Sequence, residues 1–329
     1  MSDWSTWLRR IVSTRKATIY VSGSSSKMLS REIATEFRGR ALDFELLPFS
    51  FREYVATHHI DFEHGGSYST EERLLLERAC DTYLQEGGFP ATFDLPQSQT
   101  IALLQSYTQR VVARDVVERH NLKQPRVAAL FSQRLLGHNA RQLSLRKTAG
   151  DLKAAGLPTT KETLSDLLGY FQEAYLVFTM RELSFSLSQT TTSQPKIYAV
   201  DPGLALACGT AHASDEGQRL EDAVYLELRR RTVGMRRDTI SSLRTKKHGY
   251  EVDFVIGDAL SGEVYELYQV SADTSDAATH RREVCALWEA LDQSKQDTGI
   301  LIVGNGTSEV LRNGDKTIMQ IPAWKWLLE

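Results

Sequence analysis

Two neighbouring stretches in the last third of the chain gather carboxylates, an amide and a hydroxyl at strand spacing. Gly249-Tyr-Glu-Val-Asp-Phe-Val-Ile256 places carboxylates on one expected strand, and Val264-Tyr-Glu-Leu-Tyr-Gln-Val-Ser271 places an amide and a hydroxyl on the next. Alternation with a period of two puts Glu251, Asp253 and Val255 on one face and Val252, Phe254 and Ile256 on the other, while Gln269 and Ser271 share a face of the second strand. Upstream, Leu220, Val224 and Leu228 line a helix that also carries Glu221. Carboxylates suit hard divalent cations, whereas a neutral amide is a poorer ligand and a hydroxyl brings no positive charge. These residues outline a polar site built on a sheet.

An α/β unit is expected to carry these residues. Strands are expected at Thr239 to Leu243, Glu251 to Ile256, Val264 to Val270 and Gly299 to Val303, with a further helix around Thr279 to Leu291. Before that unit, Ser144 to Tyr198 has the spacing of a winged helix. Leu145, Ala149 and Leu152 give one helix, Gly156-Leu-Pro158 the turn, and Thr159 with Glu162 a capping box for a second helix faced by Leu164, Leu167, Leu168 and Phe171. Strands at Tyr175 to Met180 and Lys196 to Val200 would flank a polar wing at 184 to 194. The second helix presents Lys161, Glu162, Asp166 and Glu173, a balance better suited to an interdomain or protein contact than to reading DNA.

Earlier still, Leu74, Leu75, Ala79 and Tyr83 mark a helix over residues 70 to 86, ended by Gly87-Gly88-Phe89-Pro90, and a long helix is expected from Thr100 to Glu118. Trp4, Trp7, Leu8 and Ile11 give an amphipathic helix at the start, followed by an apolar run at Thr18 to Val21 and a helix at Leu29 to Phe37. Ser22-Gly-Ser-Ser-Ser-Lys27 is no phosphate-binding P-loop, because the G-x-x-x-x-G-K-[ST] pattern is missing and no Gly-Lys pair occurs in the chain.

At 329 residues with 41% apolar side chains, the chain can bury a sizeable core and divides most naturally into two or three units. A net charge of -3 argues against attraction of the whole molecule to a polyanion, so contact with nucleic acid needs a local patch. Arg219 to Tyr250 offers one, with Arg219, Arg229, Arg230, Arg231, Arg236, Arg237, Arg244, Lys246 and Lys247 against four acids. The same charges could serve as partners for acidic segments elsewhere or on another subunit. Cys80, Cys208 and Cys285 lack metal-ligand spacing, which leaves reduced thiols and a cytoplasmic location as the expectation. No apolar run approaches the roughly 20 residues that span a bilayer.

Tyr20-Val-Ser-Gly-Ser-Ser-Ser-Lys-Met-Leu-Ser-Arg-Glu-Ile33, Phe37-Arg-Gly-Arg40, Leu47-Pro-Phe-Ser-Phe-Arg-Glu-Tyr54, the Gly-Gly-Phe-Pro turn and Tyr198-Ala-Val-Asp-Pro-Gly-Leu204 together resemble prokaryotic AAA-type ATPases that carry domain of unknown function 4143. The resemblance implies that Ser22, Gly23 and Ser24 lie at a sensor position near the terminal phosphate of a nucleotide, that Arg40 meets phosphate or serves as an ion-pair partner, and that an intact protein uses ATP and Mg2+. It also places the Walker A loop and Walker B strand before Trp4, and neither is found in this sequence. Phosphoryl transfer depends on the P-loop Lys and a held metal, so no autonomous ATP hydrolysis is expected.

The order of elements after Tyr198 resembles the restriction-endonuclease-like, PD-(D/E)XK fold. That resemblance implies a metal held by Glu221 and Asp253, with an acid-x-Lys pair on the next strand. Here the pair reads Gln269-Val-Ser271, and sliding the register brings only Glu266 and Tyr268. The expectation is therefore an α/β multidomain protein: an AAA remnant at 1–57, a helical linker and winged helix at 58–195, and a catalytically degenerate nuclease-like domain at 196–329. Its expected role is binding, with nucleic acid, a protein partner or the missing ATPase half as partners, no membrane, and homo-oligomers left open. The alternatives are the back half of an ATP-hydrolysing protein and a weak Mg2+-dependent nuclease.

Overall fold

The computed structural model describes residues 7, 10–12, 14, 18–23, 42, 44–62, 68–183, 194–209, 216–232, 239–258, 261–273 and 276–329. Ser24, Arg40, Arg236, Arg237, the helix expected at Leu29 to Phe37 and nearly all of the expected wing lie outside them. The described residues form a mixed α/β structure with two sheets. No helix among the described residues is long and apolar enough to cross a membrane.

The first helices are started by their own side chains. Ser50 caps α1 (Phe51–Thr57) and Ser69 caps α2 (Thr70–Glu86), and in each case a Glu three residues on returns a bond to the cap. Gly87 then turns the chain at φ 80°, a conformation that L side chains seldom adopt. The next residue donates its N–H to Asp201 Oδ2 at 2.6 Å, and Phe49 in turn donates to the Gly88 carbonyl at 2.8 Å. Asp201 also caps α7 (Pro202–Cys208), accepting from Leu204 N–H at 3.0 Å. One buried carboxylate thus ties the α2 turn to the start of α7.

Burial pushes the Asp201 carboxyl up to about 6 despite the amides of Gly88, Leu204 and Gly203 that favour its ionised form. A folded-state value above the unfolded one makes the folded chain bind more protons in this window. Its contribution is therefore full below about pH 4 and is lost as pH rises towards 6. Relative to Asp201→Asn, the wild type is expected to lose on the order of 2–3 kcal/mol between those limits. Denaturant titrations of both proteins across that range measure the slope, and parallel curves would rule the assignment out.

Helix α3 (Gln97–Arg110) continues into a π-helical segment at Val111–Glu118, with Leu122 N–H donating to Val117 O at 3.0 Å, where a single helix from Thr100 to Glu118 is expected. The order α4 (Pro125–Leu136), β1 (Arg141–Gln142), α5 (Leu145–Ala154), α6 (Lys161–Glu173), β2 (Val177–Met180), β3 (Lys196–Ala199) follows. The three strands pair antiparallel in the order β1-β3-β2. Lys196–Ala199, which opens the third unit in the sequence reading, is thus hydrogen-bonded into the middle sheet. The cap of α6 also falls one residue later than expected, because Thr160 rather than Thr159 accepts from Thr163 N–H at 3.2 Å.

The second sheet is built from β4 (Ile240–Arg244), β5 (Glu251–Asp258), β6 (Glu263–Ser271), β7 (Thr298–Val303), β8 (Glu309–Asn313) and β9 (Lys316–Pro322) in the order β4-β5-β6-β7-β9-β8. β6, β7 and β9 run parallel, and α9 (Ala277–Ser294) makes the crossover from β6 to β7. Helix α8 (Glu216–Arg231) precedes β4, and α10 (Ala323–Leu328) ends the chain. Leu287, Leu291, Val255 and Leu301 bury one face of the sheet under α9. On the other, Tyr198 stacks on Tyr225 with centroids 4.1 Å and planes 8° apart, and Phe254 leans against both. Those three rings join β3, α8 and β5, which are the elements that carry the polar centre.

Candidate functional site

Lys196, the first residue of β3, points its ammonium into a ring of carboxylates. Its Nζ lies 2.7 Å from Glu221 Oε1 on α8, 3.2 Å from Glu251 Oε1 and 3.7 Å from Asp253 Oδ1 on β5. Tyr198, two residues on and on the same face of β3, donates its hydroxyl to Glu221 Oε1 at 2.7 Å. The Lys196 side chain is 9% exposed and those of Glu221 and Asp253 are 14% and 13% exposed, so the charges answer one another rather than bulk water.

A bulge sets Asp253 in place. Ser241 faces Val255 but Leu243 faces Val252, so β5 carries an extra residue against β4 around Asp253 and Phe254. The expected alternation holds from Phe254 to Ile256 and slips at Val252, which joins Val255 in the core beneath α9. Pairing between β5 and β6 begins at Phe254 and Tyr268. Beyond it, side chains stand in for the ladder: Asp253 N–H donates to Gln269 Oε1 at 3.2 Å, and Val270 N–H donates to Asp253 Oδ2 at 2.9 Å. The amide of Gln269 donates to Glu283 on α9, and Ser271 Oγ donates to the Asp273 carbonyl at 3.2 Å.

The electrostatics follow from burial. Desolvation and the nearby Glu221 push the Asp253 carboxyl well above the usual carboxylate range, against the pull of Lys196. Desolvation likewise raises Glu221, with Lys196 and the Tyr198 hydroxyl opposing it. For Lys196, burial disfavours the ammonium, but Glu221, Asp253 and Glu251 together overcome that cost and raise its pKa. The ammonium is the fixed positive charge of the centre.

Three arginines of the basic stretch, Arg229, Arg230 and Arg231, make bonds within the molecule. Arg229 makes a two-pronged pair with Glu45, both contacts at 2.7 Å, and lies 4.0 Å over the Phe178 ring. Arg230 donates to Pro48 O at 2.7 Å, and Arg231 donates to Trp326 O at 2.6 Å while covering its ring at 4.0 Å. These donors clamp the segment before α1 and the last helix to the end of α8. Lys246 and Lys247 sit in the turn between β4 and β5, where their backbone N–H groups donate to Gln293 and Glu289 on α9. Ser22 and Gly23 are exposed, far in sequence from the carboxylate centre.

The structure therefore brings Glu221, Asp253 and Gln269 together. Glu251, read on the face of Asp253, joins them, and Lys196, Tyr198 and Glu283 are added in roles that sequence reasoning missed. The signal for Lys196 was legible, since a lone charge opens the otherwise apolar run Lys196-Ile-Tyr-Ala-Val200. Among the described residues, no group of three or more His, Cys, Asp or Glu is arranged to hold a metal ion.

Comparison with known sequences gives two partial family matches. An AAA domain model matches residues 1–55 and relates the N-terminal segment to that class. A domain of unknown function, DUF8612, matches residues 77–215, where the motifs suggest domain of unknown function 4143. The uncharacterized protein MJ1544 of Methanocaldococcus jannaschii is 32% identical over 335 residues, covering all of this chain and 72% of its own length. An uncharacterized protein of Haemophilus influenzae is 25% identical over 239 residues, 72% of this chain and 55% of the relative, so the chain spans about half of that protein's length. No solved structure matches the chain.

Proposed function

Since this chain belongs to the family of Methanocaldococcus jannaschii MJ1544, we propose that it works as a non-hydrolytic binding module of an AAA-type protein. In this reading, α4 to β3 form a winged helix, and α8 with β4, β5, β6, α9 and β7 forms a restriction-endonuclease-like core whose metal centre is silenced. The units 1–57, 58–195 and 196–329 are then the AAA remnant, the helical linker with winged helix, and the nuclease-like domain, with β3 shared across the last boundary.

One observation carries the proposal: the Lys196 ammonium lies 2.7–3.7 Å from the carboxylates of Glu221, Glu251 and Asp253. Mg2+ needs oxygen ligands in near-octahedral geometry and no competing positive charge. The second-strand ligand is the amide Gln269, already engaged by Glu283 and by Asp253 N–H, and Ser271 supplies no ammonium. These residues do not fit a metal ion, so no hydrolytic step is assigned to them. Partners are nucleic acid or protein, in the cytoplasm, where the free thiols of Cys80, Cys208 and Cys285 would stay reduced.

Duplex and single-stranded DNA incubated with millimolar Mg2+ or Mn2+ are expected to remain intact. Cleavage abolished by Asp253→Ala would overturn the silenced centre. A second reading, favoured by the AAA match at residues 1–55, makes the chain the back half of an ATP-hydrolysing protein. Ser22, Gly23, Ser24 and Arg40 are its nucleotide-proximal positions, and ATP and Mg2+ would bind with a Walker-bearing segment supplied by a longer form or a partner. ATP turnover restored by adding that segment would support it.

A further inference from the structure

The segment that leads into α1 belongs to neither sheet and turns its two sides to different surroundings. Glu45 faces inward, held two-pronged by Arg229, and Arg230 fixes the same stretch by donating to Pro48 O at 2.7 Å. Leu47 packs on the core, and Phe49 N–H is bonded to Gly88 O at 2.8 Å. With a period of two, the opposite side carries Leu42, Phe44 and Leu46, which are 85%, 83% and 93% exposed. Among the described large apolar side chains, only Tyr20 is as open. A clamped backbone therefore displays an apolar stripe to water.

Apolar side chains that stand singly on a surface are ordinary, but a contiguous row of large ones marks a contact. The order of the row points to its occupant. Leu-x-Phe-x-Leu reads the same in both directions, so a second copy turned about a two-fold axis at Phe44 sets Leu42 over Leu46 and Phe44 over Phe44. An isologous contact demands such a self-complementary patch. The charges allow it as well, since Glu45 is neutralised by Arg229 within each copy and a net charge of -3 puts little repulsion between copies. Burying the stripes of two copies against each other removes on the order of 1,000 Å² from water, about the area at which protein pairs become stable. An aromatic pair at the centre, with apolar neighbours that exclude water, is where binding energy concentrates.

We propose that Leu42, Phe44 and Leu46 form a two-fold contact with the same stripe of a second copy of this chain, antiparallel and centred on Phe44. The pairing goes beyond the binding role above and does not depend on the silenced centre.

The test is sedimentation equilibrium of the full chain from about 1 to about 100 μM. The mass is expected to rise with concentration from 37.1 kDa to twice that value and to stop there. Phe44→Asp should weaken the pairing at least about 30-fold, and Phe44→Leu should retain most of it. Val310→Asp, at an exposed site on β8, should leave it unchanged. Thermal unfolding of Phe44→Asp at low concentration, matched to that of the wild type, shows that the fold is intact. The register is read by cysteine cross-linking in a Cys285→Ser background. Phe44→Cys should link to itself, whereas Leu42→Cys should link to Leu46→Cys in preference to itself. A mass fixed at 37.1 kDa, association that continues past the dimer, a dimer indifferent to Phe44→Asp, or preferred self-linking of Leu42→Cys would each overturn the proposal. So would a chain that stays monomeric and binds, through Phe44, either phosphatidylcholine vesicles or the Walker-bearing segment of the second reading.

Discussion

Replacing Lys196 with methionine is expected to lower the stability of the folded chain by about 3–5 kcal/mol. The substitution nearly preserves volume, so the loss comes from charge: Glu221, Glu251 and Asp253 would face one another with no cation among them. Glu221 and Asp253 are already pushed up by burial and would rise further without the ammonium. The sign of the pH dependence follows. Raised carboxyls make the folded state bind more protons than the unfolded one, so the deficit is smallest in acid and grows as pH rises through their folded-state values. Chemical denaturation at several pH values reads both features. Lys196→Met/Glu221→Gln/Asp253→Asn should recover most of the loss, since a neutral network costs less than an uncompensated one. A cost below about 1 kcal/mol for Lys196→Met would mean that the ammonium is not the counter-charge of the centre.

Gly87→Ala is expected to cost about 3–5 kcal/mol, from two sources. Its φ of 80° is strained for any L residue, and an added Cβ would run into the Asp201 carboxylate. Neither can relax easily, because Asp201 is held by the N–H groups of Gly88 and Leu204, and the Gly88 carbonyl is held by Phe49 N–H. Removing the obstacle should expose the coupling: in Asp201→Ala the same Gly87→Ala change loses its clash and keeps only the backbone strain. A double-mutant cycle by thermal or denaturant unfolding is expected to give coupling of at least about 1 kcal/mol. Strict additivity would show that the turn does not depend on Asp201.

These two positions also show what the sequence could and could not reveal. Gly87-Gly88 reads locally as a helix stop and lies where that reading puts it, whereas the Asp-Pro-Gly junction, which entered only through the family resemblance, starts a short helix that no periodic run marks. That they bind each other across 113 residues was invisible, since neither has a periodic partner to point at. At the polar centre, Glu221 and Asp253 were legible because helical and strand periods assign faces. Lys196 was not gathered with them because its strand reads as a flank of the wing, paired with Val177–Met180, rather than as part of the α/β unit. The bulge at Asp253 had no signal in Glu251-Val-Asp-Phe, a run in which every residue suits a regular strand. The hairpin of β8 and β9 was not read from the sequence, although its two-residue loop Gly314-Asp315, closed by the Asn313 and Lys316 pair, has Gly314 at φ 61°, a conformation tight hairpin turns require. The arginine run at 229 to 231 shows the limit of counting charge: an excess in sequence becomes a binding surface only where folding leaves it without internal acceptors.

In the proposed silenced centre, the Lys196 ammonium stands among Glu221, Glu251 and Asp253 in the place of a divalent cation. A Mn2+ titration followed by electron paramagnetic resonance, on the wild type and on Lys196→Ala, tests this. No stoichiometric site is expected in the wild type, and one should appear in Lys196→Ala and be removed again by Asp253→Asn. A single Mn2+ site in the wild type that disappears with Asp253→Asn would return the centre to metal chemistry.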